Sequence, residues 1–173
     1  MDSSLEELKK ALASAVEGMS NEQMSWHPAD KWCAAEVLEH LYLSYTGTVK
    51  GFERVLGAGK PLVAQATMRQ RLRTIVVLGF NHMPEGRKAP KQTVPRGLAP
   101  EKVSAEVSLK IAAMDAIIGQ CEALLGRGKL LDHPILGPLT AAQWRKFHLI
   151  HGRHHAKQIV RLRERAITDL ASR

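Results

Sequence analysis

Cysteine is scarce in this chain. The 173 residues contain two, Cys33 and Cys121. Two thiols cannot build a disulfide framework, and neither sits in a Cys-x-x-Cys pair, which excludes a cysteine zinc ribbon and a thioredoxin-type redox motif. Aromatic residues make up only 5% of the chain. That is too few for a base-stacking platform, and no nucleic-acid motif occurs, so nucleic acid is not expected as a partner. No apolar run reaches the roughly 18 residues of a membrane span. The opening residues MDSSLEELKK have no apolar stretch behind a basic start, so no secretory signal is expected. Period-two alternation and hairpin turn signals are also missing, and no sheet is expected. The expectation is a reduced, cytoplasmic chain forming a single domain over residues 1–173, a length that suits one core better than two.

Charge is present in excess and unevenly placed. The formal net charge is +8. Residues 1–24 carry five acids and two lysines, whereas residues 69–102 and residues 144–173 each carry eight Lys/Arg against two acids. A basic surface favours anionic partners. With nucleic acid set aside, the expected partner is a small anionic molecule.

Four segments show helical periodicity. Leu5, Leu8, Ala11, Leu12, Ala15, Val16 and Met19 recur at steps of three and four. Ser20 and Gln23 then fit a capping box for a short turn. A second stripe runs from Cys33 to Leu56 through Val37, Leu38, Leu41, Tyr45, Val49 and Phe52, and stops at Gly57-Ala58-Gly59-Lys60-Pro61. A third runs from Glu101 to Leu125, closed by Gly126 and Gly128. The fourth starts at Thr140, which forms a capping box with Gln143, and extends to Leu170. Residues 67–80 suit a further helix, while Pro84, Pro90, Pro95 and Pro100 make residues 81–100 an extended loop. The expected fold is all-α: a four-helix bundle with a long, partly irregular connection between its second and third helices.

Histidine carries the chemical signal. Five of the eight lie between His133 and His155. In the last helix, Trp144, His148, His151, His155, Gln158 and Leu162 follow one another at helical steps along the face expected to be buried. Burying imidazoles without partners costs on the order of 1–3 kcal/mol each. Three in succession point to a compensating ligand, and a metal ion is the common one. His151 and His155 have the i, i+4 spacing of helical metal sites; His148 and His151, at i and i+3, are the competing pair. His154 is displaced to one side. A further ligand must come from a facing helix. His40, at the edge of the second stripe, is placed to supply it, with Glu36 one turn earlier as a carboxylate able to orient the ring. His27, His82 and His133 stand in loop-like contexts and suit structural roles.

Three stretches resemble the DinB-like metalloprotein superfamily. These are Trp32 to Leu41 with its histidine, His133-Pro134-Ile135-Leu136-Gly137-Pro138-Leu139-Thr140, and Gln143-Trp144 through His148, His151, His154-His155 and Gln158. The last two, and the stretch around Met83-Pro84-Glu85-Gly86, look most like a branch without an assigned reaction. The resemblance implies a bundle of the DinB type, often dimeric, with a divalent metal held by His40, His151 and His155. It also implies kinship with S-transferases that use low-molecular-weight thiols such as bacillithiol or mycothiol, and with a thiol-dependent isomerase. One departure is Cys33, where Ser or Thr often caps the helix. It suits a small buried hydrophobe better than a reactive thiol at a helix N-terminus.

Three neutral imidazoles leave a coordination position open, which favours catalysis over a closed structural site, and nitrogen ligands suit Zn²⁺ and Ni²⁺ alike. Three readings follow. The favoured one is transfer of a low-molecular-weight thiol, acting as cosubstrate, to a small electrophile. The others are a metal-dependent hydrolase and a non-catalytic metal-binding or merely helical bundle. Glu36, Glu39 and His148 are candidate proton carriers by position. Arg153 and Lys157 are candidates to attract a substrate's carboxylates.

Overall fold

The structure is a computed structural model that describes residues 1–29, 31–84, 86 and 88–172. Glu85, part of the proline-containing stretch that resembles the DinB-like branch, lies outside the described residues. Helix α1 (Ser3–Val16) begins where Asp2 accepts a hydrogen bond from the Ser4 N–H at 2.9 Å. The Asp2 N–H itself donates to Asp115 at 2.7 Å. The short α2 (Asn21–Ser25) starts on the Ser20–Gln23 capping box. Helix α3 (Ala34–Ala58) ends at Gly59, whose φ of +61° is a left-handed cap that glycine adopts without Cβ strain. Helix α4 (Met68–Thr74) is capped reciprocally by Thr67 and Gln70 and widens into a π turn over Ile75–Gly79. A single 3₁₀ turn occupies Lys91–Thr93. Helix α5 (Pro100–Leu125) has Pro100 in its first turn, where a missing N–H costs nothing. Strands β1 (Lys129–His133) and β2 (Gly137–Thr140) lead directly into α6 (Ala141–Ala171), which opens on the Thr140–Gln143 box.

The four long helices form an all-α bundle. α1 lies on α6, α3 lies on α5, and α3 also packs against α6. The apolar stripes meet in one core, with Leu5, Leu8, Leu12, Leu38, Leu41, Tyr45, Phe52, Ile111, Met114 and Ile118 fully or almost fully buried. No helix is long and apolar enough to cross a membrane among the described residues.

No strand is expected from the residue pattern, and here the structure differs. β1 and β2 pair antiparallel, with His133 opposite Gly137. The turn is Pro134-Ile135-Leu136 followed by Gly137 at φ +75°, so the left-handed position falls on the glycine. Tertiary contacts hold this small hairpin. Leu62, just after α3, donates its N–H to the Leu130 carbonyl at 2.9 Å, and the Leu62 carbonyl accepts from Asp132 N–H at 3.2 Å. The Trp144 indole N–H donates to the Leu131 carbonyl at 3.1 Å. Two short strands without a hydrophobic period of their own are thus stabilised by α3 and α6.

Candidate metal centre

Three imidazoles from two helices meet at one point. His40 comes from α3; His151 and His155 come from adjacent turns of α6. The His151 Nε2 lies 3.2 Å from the His40 Nε2 and 3.1 Å from the His155 Nε2. One ring nitrogen from each histidine falls within 4.8 Å of the others. His40 is buried, whereas His151 and His155 are partly exposed. Aromatic rings flank the cluster: Phe147 stacks on His151 with centroids 5.4 Å apart, and Trp32 lies 5.4 Å from His40.

The hydrogen bonds behind the rings fix which nitrogen faces inward. The His40 Nδ1 lies 2.8 Å from the Thr93 carbonyl. A carbonyl only accepts, so Nδ1 carries the proton and Nε2 presents a lone pair. The His155 Nδ1 lies 2.9 Å from the Gln158 Oε1 and is fixed in the same sense. Between these two lone pairs sits the His151 Nε2, while the His151 Nδ1 is buried with no hydrogen-bond partner among the described residues. A proton on the His151 Nε2 satisfies one lone pair and leaves the other; a proton on Nδ1 satisfies neither. Each arrangement leaves buried nitrogen unpaired, a condition a cation relieves.

Electrostatics keep the donor set neutral. Burial lowers the pKa of His40. It lowers His151 further, with His155 and His40 adding to the effect, and it brings His155 down to about 4. Unprotonated imidazoles at neutral pH are what metal ligation requires. The residues present therefore fit a divalent ion.

The model of a family described as Protein of unknown function (DUF1569) matches residues 1–162. The chain belongs to that family. The matched span includes α1 through most of α6 and all three histidines of the cluster. DUF1569 is related to the DinB-like superfamily that the helix motifs resemble. No curated protein and no solved structure matches the chain.

In this DUF1569 chain the remaining sequence candidates go elsewhere. Glu36 does not orient His40. Its carboxylate accepts from the Cys33 N–H at 2.9 Å and lies 2.9 Å from the His27 Nε2. His27, Cys33 and Glu36 do form a second compact group of metal-binding residue types. It sits at the N-terminus of α3, where the helix dipole disfavours a cation. Cys33 is buried and its thiol is pushed up chiefly by that burial, so it packs rather than reacts. His148 is buried deeper, its Nε2 3.0 Å from the hydroxyl of Thr48, which itself donates to the Ser44 carbonyl at 3.1 Å, and burial lowers it to about 3. It is a core histidine, outside the cluster. His154 neighbours the cluster, its ring 5.0 Å from that of His155. His133, expected in a loop, ends β1; its Nδ1 accepts from the N–H groups of Ile135 and Leu136, both at 3.1 Å, and closes the hairpin turn.

Glu39 has a role that spacing alone did not assign. It is almost fully buried, and its carboxylate accepts from the backbone N–H groups of Arg96, Gly97 and Leu98 at 2.7, 3.1 and 3.1 Å. Those bonds hold the loop that carries Thr93 against α3. The carbonyl that sets the His40 tautomer is thus anchored by the residue preceding His40. The signal in the sequence was an acid on the buried side of α3 followed by a long proline-containing loop, but nothing in it paired the two.

Proposed function

We propose that this protein is a metal-dependent enzyme in which His40, His151 and His155 hold one divalent ion, Zn²⁺ or Ni²⁺, and that it transfers a low-molecular-weight thiol to a small electrophile. The observation that carries the metal reading is the convergence of three Nε2 atoms from two helices, with two of their lone pairs fixed inward by Thr93 and Gln158. A divalent ion bound there supplies Lewis acidity, favouring the deprotonated form of a thiol or a water at its open position. The thiol reading rests on the resemblance to DinB-like S-transferases. Both cysteines of the chain are buried, so the thiol comes from a cosubstrate, as expected in a reducing cytoplasm.

The chain's own residues have separable tasks. Thr93 and Gln158 orient two rings; Phe147 and Trp32 exclude water from the flanks; the partial exposure of His151 and His155 leaves an approach for substrate. The net charge of +8 favours an anionic substrate. A homodimer is part of the same reading. Met68, Leu72, Ile75 and Phe80 on and after α4 are between 55 and 77% exposed and give it an apolar surface to bury.

The test begins with elemental analysis of the protein as purified, followed by thermal denaturation with added Zn²⁺ or Ni²⁺. One ion per chain and a raised midpoint are expected; at about 100 times Kd the gain is roughly 2.7 kcal/mol. A thiol panel with a small electrophile then follows. His151→Ala is expected to lose both the metal-dependent stabilisation and the coupling. Activity without added thiol would replace transfer with hydrolysis. The absence of both a bound ion and metal stabilisation would overturn the metal reading.

A further inference from the structure

A second site lies on the other side of α6. Between α6, the start of α1 and residues 81–83 there is a groove of about 700 Å³, a size ordinary for a small-molecule pocket. Its apolar lining comes from Met83, Ala142, Leu149 and Ile150. Around this lining stand the cations of α6. Arg145 is committed to Asp115 and Glu122, at 2.8 and 2.9 Å, and Arg153 is paired with Glu7. Lys146, Lys157 and Arg161 also line the groove, and none of them has an ion-pair or hydrogen-bond partner among the described residues. The described acid in the lining, Asp2, is engaged as the α1 cap.

An apolar floor beneath uncommitted cations selects for both properties in one ligand. A purely polar anion gains nothing from Leu149 and Ile150. A neutral hydrophobe leaves the neighbouring charges of Lys157 and Arg161 without a counter-charge. A ligand with an apolar body and an anionic head satisfies the floor by burial and the rim by charge-assisted hydrogen bonds.

We propose that this groove binds a small amphiphilic anion, with its apolar body against Leu149 and Ile150 and its carboxylate, sulfonate or phosphate head at Lys157 and Arg161, which stand one helical turn apart on α6. The groove shares no lining residue with the three-histidine cluster, and the neighbouring rings of His154 and His155 lie between the two. The inference does not depend on a metal being bound.

The experiment is a fluorescence titration of the intact protein with 11-(dansylamino)undecanoate, with decanoate and decanol as competitors. Saturable binding with one probe per chain is expected, displaced by decanoate about tenfold more effectively than by decanol. The double variant Lys157→Glu, Arg161→Glu alters exposed side chains only and is expected to weaken binding about tenfold or more. Leu72→Glu, on the exposed face of α4, and His151→Ala, in the histidine cluster, are expected to leave it unchanged. The proposal is overturned if the probe fails to saturate, if the charge reversal has no effect, or if decanol competes as well as decanoate. Loss of binding in Leu72→Glu would equally overturn it by placing the probe on α4, and loss in His151→Ala by placing it in the histidine cluster.

Discussion

At the scale of single residues, the histidine cluster is defined as much by what stands behind the rings as by the rings. Gln158 is the clearest case, because its one visible task is to accept the His155 Nδ1–H at 2.9 Å. Gln158→Leu keeps the size of the side chain and removes the acceptor, so His155 loses its preferred tautomer and orientation. Metal affinity, measured by competition with a chelating dye, is expected to fall about 10- to 100-fold. The thermal midpoint of the metal-free protein should change little, because Gln158 is not a core residue. The counterpart for His40 is a backbone carbonyl, which no side-chain substitution removes; Glu39, by holding residues 96–98, performs that positioning indirectly.

At the scale of elements, the contact between α1 and α6 sets how closely the bundle closes. Gly152 stands in the middle of α6 between the histidines. A Cβ placed there would lie 2.0 Å from the Leu8 Cδ1 and 3.2 Å from the Tyr45 hydroxyl. A glycine in mid-helix costs about 1 kcal/mol relative to alanine, so its presence marks a steric requirement. Gly152→Ala raises helix propensity but forces α1 outward. The net result is expected to be destabilisation by about 1–3 kcal/mol, read as a lower urea midpoint. A rise in stability would show that Leu8 rotates away at little cost. The hairpin offers a complementary lesson. His133 serves as the acceptor that closes the turn, and its ring lies 4.3 Å from that of Phe147, which itself stacks on His151.

At the scale of the whole molecule, buried neutral histidines link stability to pH. Burial lowers His133 from 6.5 to about 4 and His148 from 6.5 to about 3. In the unfolded chain both regain the ordinary value, so below pH 6.5 the unfolded state binds more protons than the folded state. Stability is therefore complete above about pH 6.5 and falls as pH drops toward 4, with each histidine contributing at most about 1.4 kcal/mol per pH unit. Urea midpoints measured between pH 7.5 and 4 test this; a flat profile would contradict the buried, neutral state. The dimer reading is tested at the same scale. Light scattering is expected to give twice the chain mass for the wild type and a single chain mass for Leu72→Glu, which places a charge in the exposed α4 stripe.

Much of this architecture follows from local patterning. The stripes in α1, α3, α5 and α6, the capping boxes at Ser20 and Thr140 and the glycine stop after α3 are short-range chemistry, so they are visible in one dimension. The succession of His148, His151 and His155 was visible for the same reason: helical spacing puts them on one face. What the spacing left open was which two of them act together, and the fold decided it by pointing His148 at Thr48 in the core and His151 and His155 toward His40. Partners more than 50 residues apart were hidden altogether. Nothing local pairs Glu39 with the N–H groups of residues 96–98, Thr93 with His40, or Leu62 with β1. The basic charge of α6 was plain from composition, but that it lines a groove apart from the cluster of His40, His151 and His155 depends on the rotation of a packed helix. Periodicity fixes what each helix buries; only the packing of one helix on another fixes which buried atoms meet.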